Sequence, residues 1–149
     1  MTTKEASIKF QIDQNKITKL CQMGLIPRKY KYKGKWIIPD ELDFILDYKI
    51  IKHILLQIII LKNNINTAFS KENLSDLDAT KKNLAYLVEI GFIHYFDNNK
   101  EDTISVLCSC ILTNEGLSQV LSNDCKIDNN INLNVNLNLN NQLGLINMR

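Results

Sequence analysis

Apolar and polar positions change their period several times along the chain, and each change marks an element. Ala6 and Phe10 share one face of a helical stretch. Thr2 and Glu5 stand at capping-box spacing before them, so a first helix is predicted over 2–10. Asp13 opens a second helix as N-cap. Ile17, Leu20 and Cys21 fall at i, i+3 and i+4. Gly24 stands where a left-handed residue closes a helix, and Pro27 blocks a restart. Tyr30, Tyr32, Trp36, Ile37 and Ile38 favour strand, and Lys33-Gly34 offers a turn, which together read as a hairpin. Aromatics of such a hairpin commonly pack beneath it, so Trp36 is expected to be buried.

From Asp40 to Lys62 there is no Gly and no Pro. With Asp40 as cap and Glu41 and Asp43 in the first turn, one helix of about 23 residues and roughly 35 Å is predicted. After Ile50 its apolar side chains cover more than one face. A second copy of the helix is the simplest cover, so Ile50, Ile54, Leu55, Ile58 and Ile59 are the candidate interface of a homodimer. His53 lies among them as a core or interface residue.

The Asn63-Asn64-Ile65-Asn66 stretch is a break. Beyond it Ser70–Leu74 reads as a short helix, and Asp78 caps another, Ala79–Ile90, ended by Gly91. Phe92–Phe96 and Thr103–Leu112 are rich in strand formers and flank the polar turn 97–102, with His94 on the strand surface. Thr113–Leu117 opens a last helix. From Ile131 to Leu139 apolar residues alternate strictly with Asn, a period of two. Such a stretch has one apolar face, and as a strand it must pair to bury it.

Charge adds a direction to this layout. Residues 1–39 hold nine cations and two acids, a net of +7, and residues 40–149 hold nine cations and fourteen acids, a net of −5. The positive field marks the end at which a polyanion docks. Four cysteines at no disulfide-like density point to a reducing, cytoplasmic setting. No basic-then-apolar signal segment opens the chain. The apolar run 50–61 carries Lys52, His53 and Gln57 and is too short to span a bilayer, so no membrane partner is expected.

Thr3-Lys4-Glu5-Ala6-Ser7, the series Ile12, Ile17, Leu20, Cys21, Gly24-Leu25-Ile26-Pro27, and Gly34-Lys35-Trp36-Ile37-Ile38-Pro39 resemble the DNA-binding domain of the MerR/excisionase superfamily. The likeness covers about the first 42 residues. It departs at Asp13, where the family commonly has Ser, and at Lys or Thr positions where it often has Arg. The resemblance implies a winged helix-turn-helix, with the second helix in the major groove and the hairpin along the backbone. Its candidate DNA-binding residues are Gln14, Asn15, Lys16, Thr18, Lys19, Arg28, Lys29, Lys31, Lys33 and Lys35. Lys4 or Lys9 of the first helix is expected to touch phosphate; Tyr30, Tyr32 and Trp36 could stack on bases, but at most one tyrosine is expected, against the sugar–phosphate. Leu87-x-x-x-Gly91-Phe92-Ile93 and Ile111-Leu112-Thr113-Asn114-Glu115-Gly116 are similar to MarR-like winged-helix modules.

Other chemistry finds less support. Lys81 and Lys82 suggest a second DNA reader, but Asp97, Glu101 and Asp102 give that module an acidic wing which phosphate repels. Cys108-x-Cys110 lacks a second ligand pair at zinc spacing, so packed thiols are expected and no metal. No Ser–His–Asp set, phosphate-cradling Gly loop or paired carboxylates stand out, so no catalytic residues and no cofactor are assigned.

The expected fold is α+β and mostly helical, with two winged-helix-like modules joined by a long helix: 1–39, a connecting helix 40–63, a second module 64–122, and an Asn-rich tail 123–149. The expected function is sequence-specific binding of double-stranded DNA as a homodimer, as a transcriptional regulator or mobile-element accessory factor. The alternative is an assembly, partition or replication adaptor that holds DNA through its N-terminal domain and oligomerises or binds a protein partner through its C-terminal module.

Overall fold

The computed structural model describes residues 1–63 and 76–121. The Ser70–Leu74 helix and the alternating tail lie outside the described residues. Within them the fold is α+β and about half helical, with six helices and two small antiparallel sheets. The chain divides into two compact units, Met1–Ile51 and Lys52–Arg149, so the division falls inside a helix.

In the first unit, helix α1 (Thr3–Phe10) starts at the Thr2–Glu5 capping box and closes at Gln11, whose φ is 54°. Glu5 is held below the usual carboxylate range by its hydrogen bonds with Thr2. Helix α2 (Gln14–Gln22) is capped by Asp13, which accepts from the Asn15 amide. It ends in a Schellman closure. Gly24 has φ +75°, its amide donates to Cys21 O at 3.1 Å, and the Leu25 amide reaches Leu20 O at 2.9 Å. Strands β1 (Tyr30–Tyr32) and β2 (Lys35–Ile37) pair in register Tyr30 with Ile37, Lys31 with Trp36 and Tyr32 with Lys35. Lys33 and Gly34 both take positive φ, 52° and 78°, as a two-residue type I′ turn demands. A bridge from Thr2 to Ile37 adds the chain's start to the hairpin. Ala6, Ile17, Leu20, Cys21, Leu25, Ile26, Ile38, Leu42, Leu46 and Ile51 are buried.

The predicted helix from Asp40 begins eight residues later, as α3 (Tyr48–Lys62). Asp40 is engaged elsewhere, 2.9 Å from the N-terminal ammonium, which holds its carboxyl below the ordinary range. Lys9 Nζ donates to the carbonyls of Asp40 and Leu42 at 3.2 and 3.0 Å. These bonds fix 40–47 as an irregular segment that buries Leu42 and Leu46. Asp47 serves as the cap instead, with Oδ1 accepting from the Lys49 amide at 3.1 Å. Lys9, expected at phosphate, is thus a structural brace in this arrangement.

Ile54, Leu55, Ile58 and Ile59 are buried within one chain, Leu55, Ile58 and Ile59 completely, while Ile50 is 48 % exposed. The premise that these side chains need a second copy therefore fails for four of the five. His53, expected in a core or interface, is exposed.

In the second unit, α4 (Leu77–Glu89) is capped by Asp76, two residues before the predicted Asp78. It ends in the same Schellman closure at Gly91, with Phe92 N donating to Leu87 O at 2.9 Å. Strand β3 (Ile93–Tyr95), with His94 exposed, pairs with β4 (Ile111–Leu112). Between them Thr103–Cys108 is a helix, α5, where a strand was expected. Asp102 caps it by accepting from Ser105 N and Oγ at 2.8 and 2.6 Å, and Val106, Leu107 and Cys110 bury at helical spacing. The cap outweighs the β-branched composition. The connection is therefore strand–helix–strand and not the polar hairpin turn predicted from 97–102. Helix α6 (Asn114–Leu121) follows, and its Gly116 packs against the Phe92 backbone. Among the described residues no helix is long and apolar enough to cross a membrane.

Candidate nucleic-acid interface

The α2 cap and the Gly24 closure fix which side chains the helix turns outward. Asn15, Lys19 and Gln22 stand opposite the buried Ile17, Leu20 and Cys21, and all three are exposed. Gln14 and Thr18 flank them on one side. Gln14 Nε2 donates to Thr3 Oγ1 at 3.1 Å, and Thr18 Oγ1 donates back to Gln14 O at 3.1 Å. These two side chains, Thr2, Thr3 and Lys4 of the α1 start, and Tyr32–Ile37 of the hairpin line one open groove of about 940 Å³. Its lining contains Lys4, Lys33 and Lys35 and no acid.

Two of the ten candidates meet acids. Lys16 on the other flank of α2 pairs with Asp47 at 2.5 Å, and Arg28 pairs with Glu41 at 3.1 Å. Burial works against the Asp47 charge. The hydrogen bonds from Lys16 and the Lys49 amide, with the charges of both lysines, outweigh it and hold the carboxyl below its usual range. Lys16 and Arg28 are half exposed, so these pairs exchange readily with other anions.

On the hairpin Lys31 Nζ sits 4.8 Å from the Trp36 ring centre and Lys33 Nζ 5.3 Å from that of Tyr32. Trp36, expected to be buried, is half-buried, with a lysine over it. Lys29 lies near enough to Cys21 to favour its thiolate, but burial dominates and pushes that thiol up to about 11. Cys21 is a core residue.

The groove residues Thr2 and Thr3 were not singled out as site residues by sequence reasoning, and Lys4 was named only as a phosphate contact of the first helix. The bridge between Thr2 and Ile37 that brings them together spans 35 positions and leaves no local signal. The pairing of Lys16 and Arg28 was hinted at only by the acids between Asp40 and Asp47. Elsewhere, Cys110 is buried with its thiol pushed up to about 12, chiefly by burial, and Cys108 is exposed. No family model, no curated protein and no solved structure matches this chain.

Proposed function

We propose that the N-terminal unit binds double-stranded DNA sequence-specifically as a winged helix-turn-helix, without catalysis, with α2 in the major groove and the β1–β2 hairpin along the backbone. One observation carries the reading. An acid-free outward helix face of Asn15, Lys19 and Gln22 adjoins a groove whose far wall is a lysine-rich hairpin. Amide and ammonium side chains are the donors that purine edges accept, and lysines spaced along a hairpin suit phosphates. The MerR/excisionase-like motifs agree with this division of labour. A role as transcriptional regulator or mobile-element accessory factor follows, in a reducing cytoplasm that suits free thiols.

The test is selection of bound sequences from random duplex DNA by the full chain, followed by affinity measurements across salt. Enrichment of a motif with log affinity falling linearly against log salt supports the reading. Salt-sensitive binding without enrichment reduces the unit to an anchor. That outcome favours the second reading, an adaptor whose net-acidic remainder, with Tyr95 and Ile111 exposed as partners across β3–β4, binds protein.

A further inference from the structure

We propose that the exposed face of the β1–β2 hairpin is a second nucleic-acid contact, in which Tyr30 and Tyr32 clamp one unpaired DNA base beside the duplex. The proposal rests on the DNA-binding reading above and adds a preference for a structure that duplex alone lacks.

The hairpin register separates two faces. Lys31 and Trp36 are cross-strand partners, and the ammonium covers the indole. Tyr30 and Tyr32, two positions apart in one strand, alternate with Lys31 and are 55 % and 59 % exposed, Tyr32 at the border of the groove and Tyr30 outside its lining. Neither ring serves the core, which is filled by aliphatic residues of α1, α2 and the segments after them.

Spacing and charge identify the occupant. Positions i and i+2 of a strand are about 6.6–6.8 Å apart. That equals two stacking steps of about 3.4 Å, the distance between neighbouring bases in a strand of DNA. Two tyrosine rings turned parallel at that spacing admit one planar base with both of its faces covered. A base inside an intact duplex already has stacked neighbours and cannot enter, so the slot selects an unpaired one. Lys29, Lys31, Lys33 and Lys35 alternate with the aromatics, and no acid occurs between Asp13 and Asp40. Lys33 Nζ, at the hairpin tip 5.3 Å from the Tyr32 ring centre, is positioned for the phosphate of the clamped nucleotide. Aromatic rings interleaved with ammonium groups suit a strand whose bases and phosphates alternate in the same way.

The experiment uses the full chain and three labelled probes at low salt. They are a blunt duplex, the same duplex with a short single-stranded overhang, and that duplex with an abasic overhang carrying phosphates but no bases. Wild type is expected to hold the base-bearing overhang about tenfold tighter than the abasic one. Tyr30→Ala, which leaves the groove residue Tyr32 in place, is expected to erase that preference and leave blunt-duplex affinity within about twofold, while Tyr30→Phe retains it, because stacking needs the ring and not the hydroxyl. Equal binding of the two overhangs by wild type overturns the clamp. So does a drop in the alanine variant that is the same on the blunt duplex as on the overhang. Tight binding to the overhang with none to the blunt duplex supports the clamp and removes the major-groove reading, so the two stand or fall separately.

Discussion

Asn15 and Lys19 contribute nothing to the packed interior, because they project from α2 opposite its buried stripe. Their replacement by Ala is expected to leave the melting temperature nearly unchanged and to lower discrimination between the selected site and random duplex. The effect should be about 1–3 kcal/mol for a bidentate bond to a base edge. Competition binding on both DNAs measures it, and retained discrimination in both variants reassigns the recognition helix. Gly116 is the opposite kind of residue. A Cβ there would stand 2.1 Å from Phe92 O, a backbone atom that cannot swing aside. Thr113 ties the same junction, with its amide to Phe92 O at 3.1 Å and its hydroxyl to Gly91 O at 2.6 Å. Gly116→Ala should therefore destabilise the second unit by roughly 1–3 kcal/mol, as overpacking does, while DNA affinity of the folded protein stays the same. Thermal unfolding equal to wild type would show that the junction yields.

Elements in this chain were legible where their punctuation is local. α1, α2 and the end of α4 follow from a capping box, an Asp cap and two glycines, each acting within six residues of its partners. The start of α3 was not legible, because Asp40 and Asp47 are equally good caps on paper. Lys9, more than thirty positions away, decides between them by taking the carbonyls of 40 and 42. α5 was missed because Thr103–Leu112 has a strand's composition and a helix's cap, and the Asp102–Ser105 bonds prevail. Asp47 shows what such a cap adds. Its carboxyl pKa is depressed in the folded state, so the stability it supplies is present above the unfolded carboxylate pKa and is lost as pH falls through the folded one. Asp47→Asn is expected to flatten that acid limb of the unfolding profile and to detach Lys16. An unchanged limb would assign the acid sensitivity to Glu5, Asp40 and Asp102, which are depressed too. Within α3, Ile58 is fully buried. Ile58→Glu is therefore expected to cost the fold itself, seen as a fall in helical circular dichroism, and not to release a clean monomer from a dimer.

At the scale of the whole molecule the charge split bears on the proposed binding of DNA. A net of +7 on residues 1–39 against −5 on the remainder orients the chain in the field of a polyanion before any base is read. Within the positive part the cations are unequal. Lys9 is committed to backbone carbonyls and Lys16 and Arg28 to carboxylates, whereas Lys31 and Lys33 lie over aromatic rings and Lys35 lines the groove. The hairpin lysines therefore give up no carboxylate partner on meeting phosphate. Replacing Lys31, Lys33 and Lys35 together with Ala is expected to weaken binding to all duplexes alike, specific and random. The slope of log affinity against log salt should become shallower by up to about 2.7 units, at roughly 0.9 for each phosphate that the variant no longer neutralises. The core of the first unit should persist, since Ala6, Ile17, Leu20, Leu25, Ile26 and Ile38 build it and none of these lysines does. Lys33 adopts positive φ, so Lys33→Asn or Lys33→Gly replaces the Ala variant if the hairpin weakens. A slope unchanged in a folded triple variant moves the backbone-binding role away from the hairpin, to Lys4 and the start of α1 on the near side of the groove.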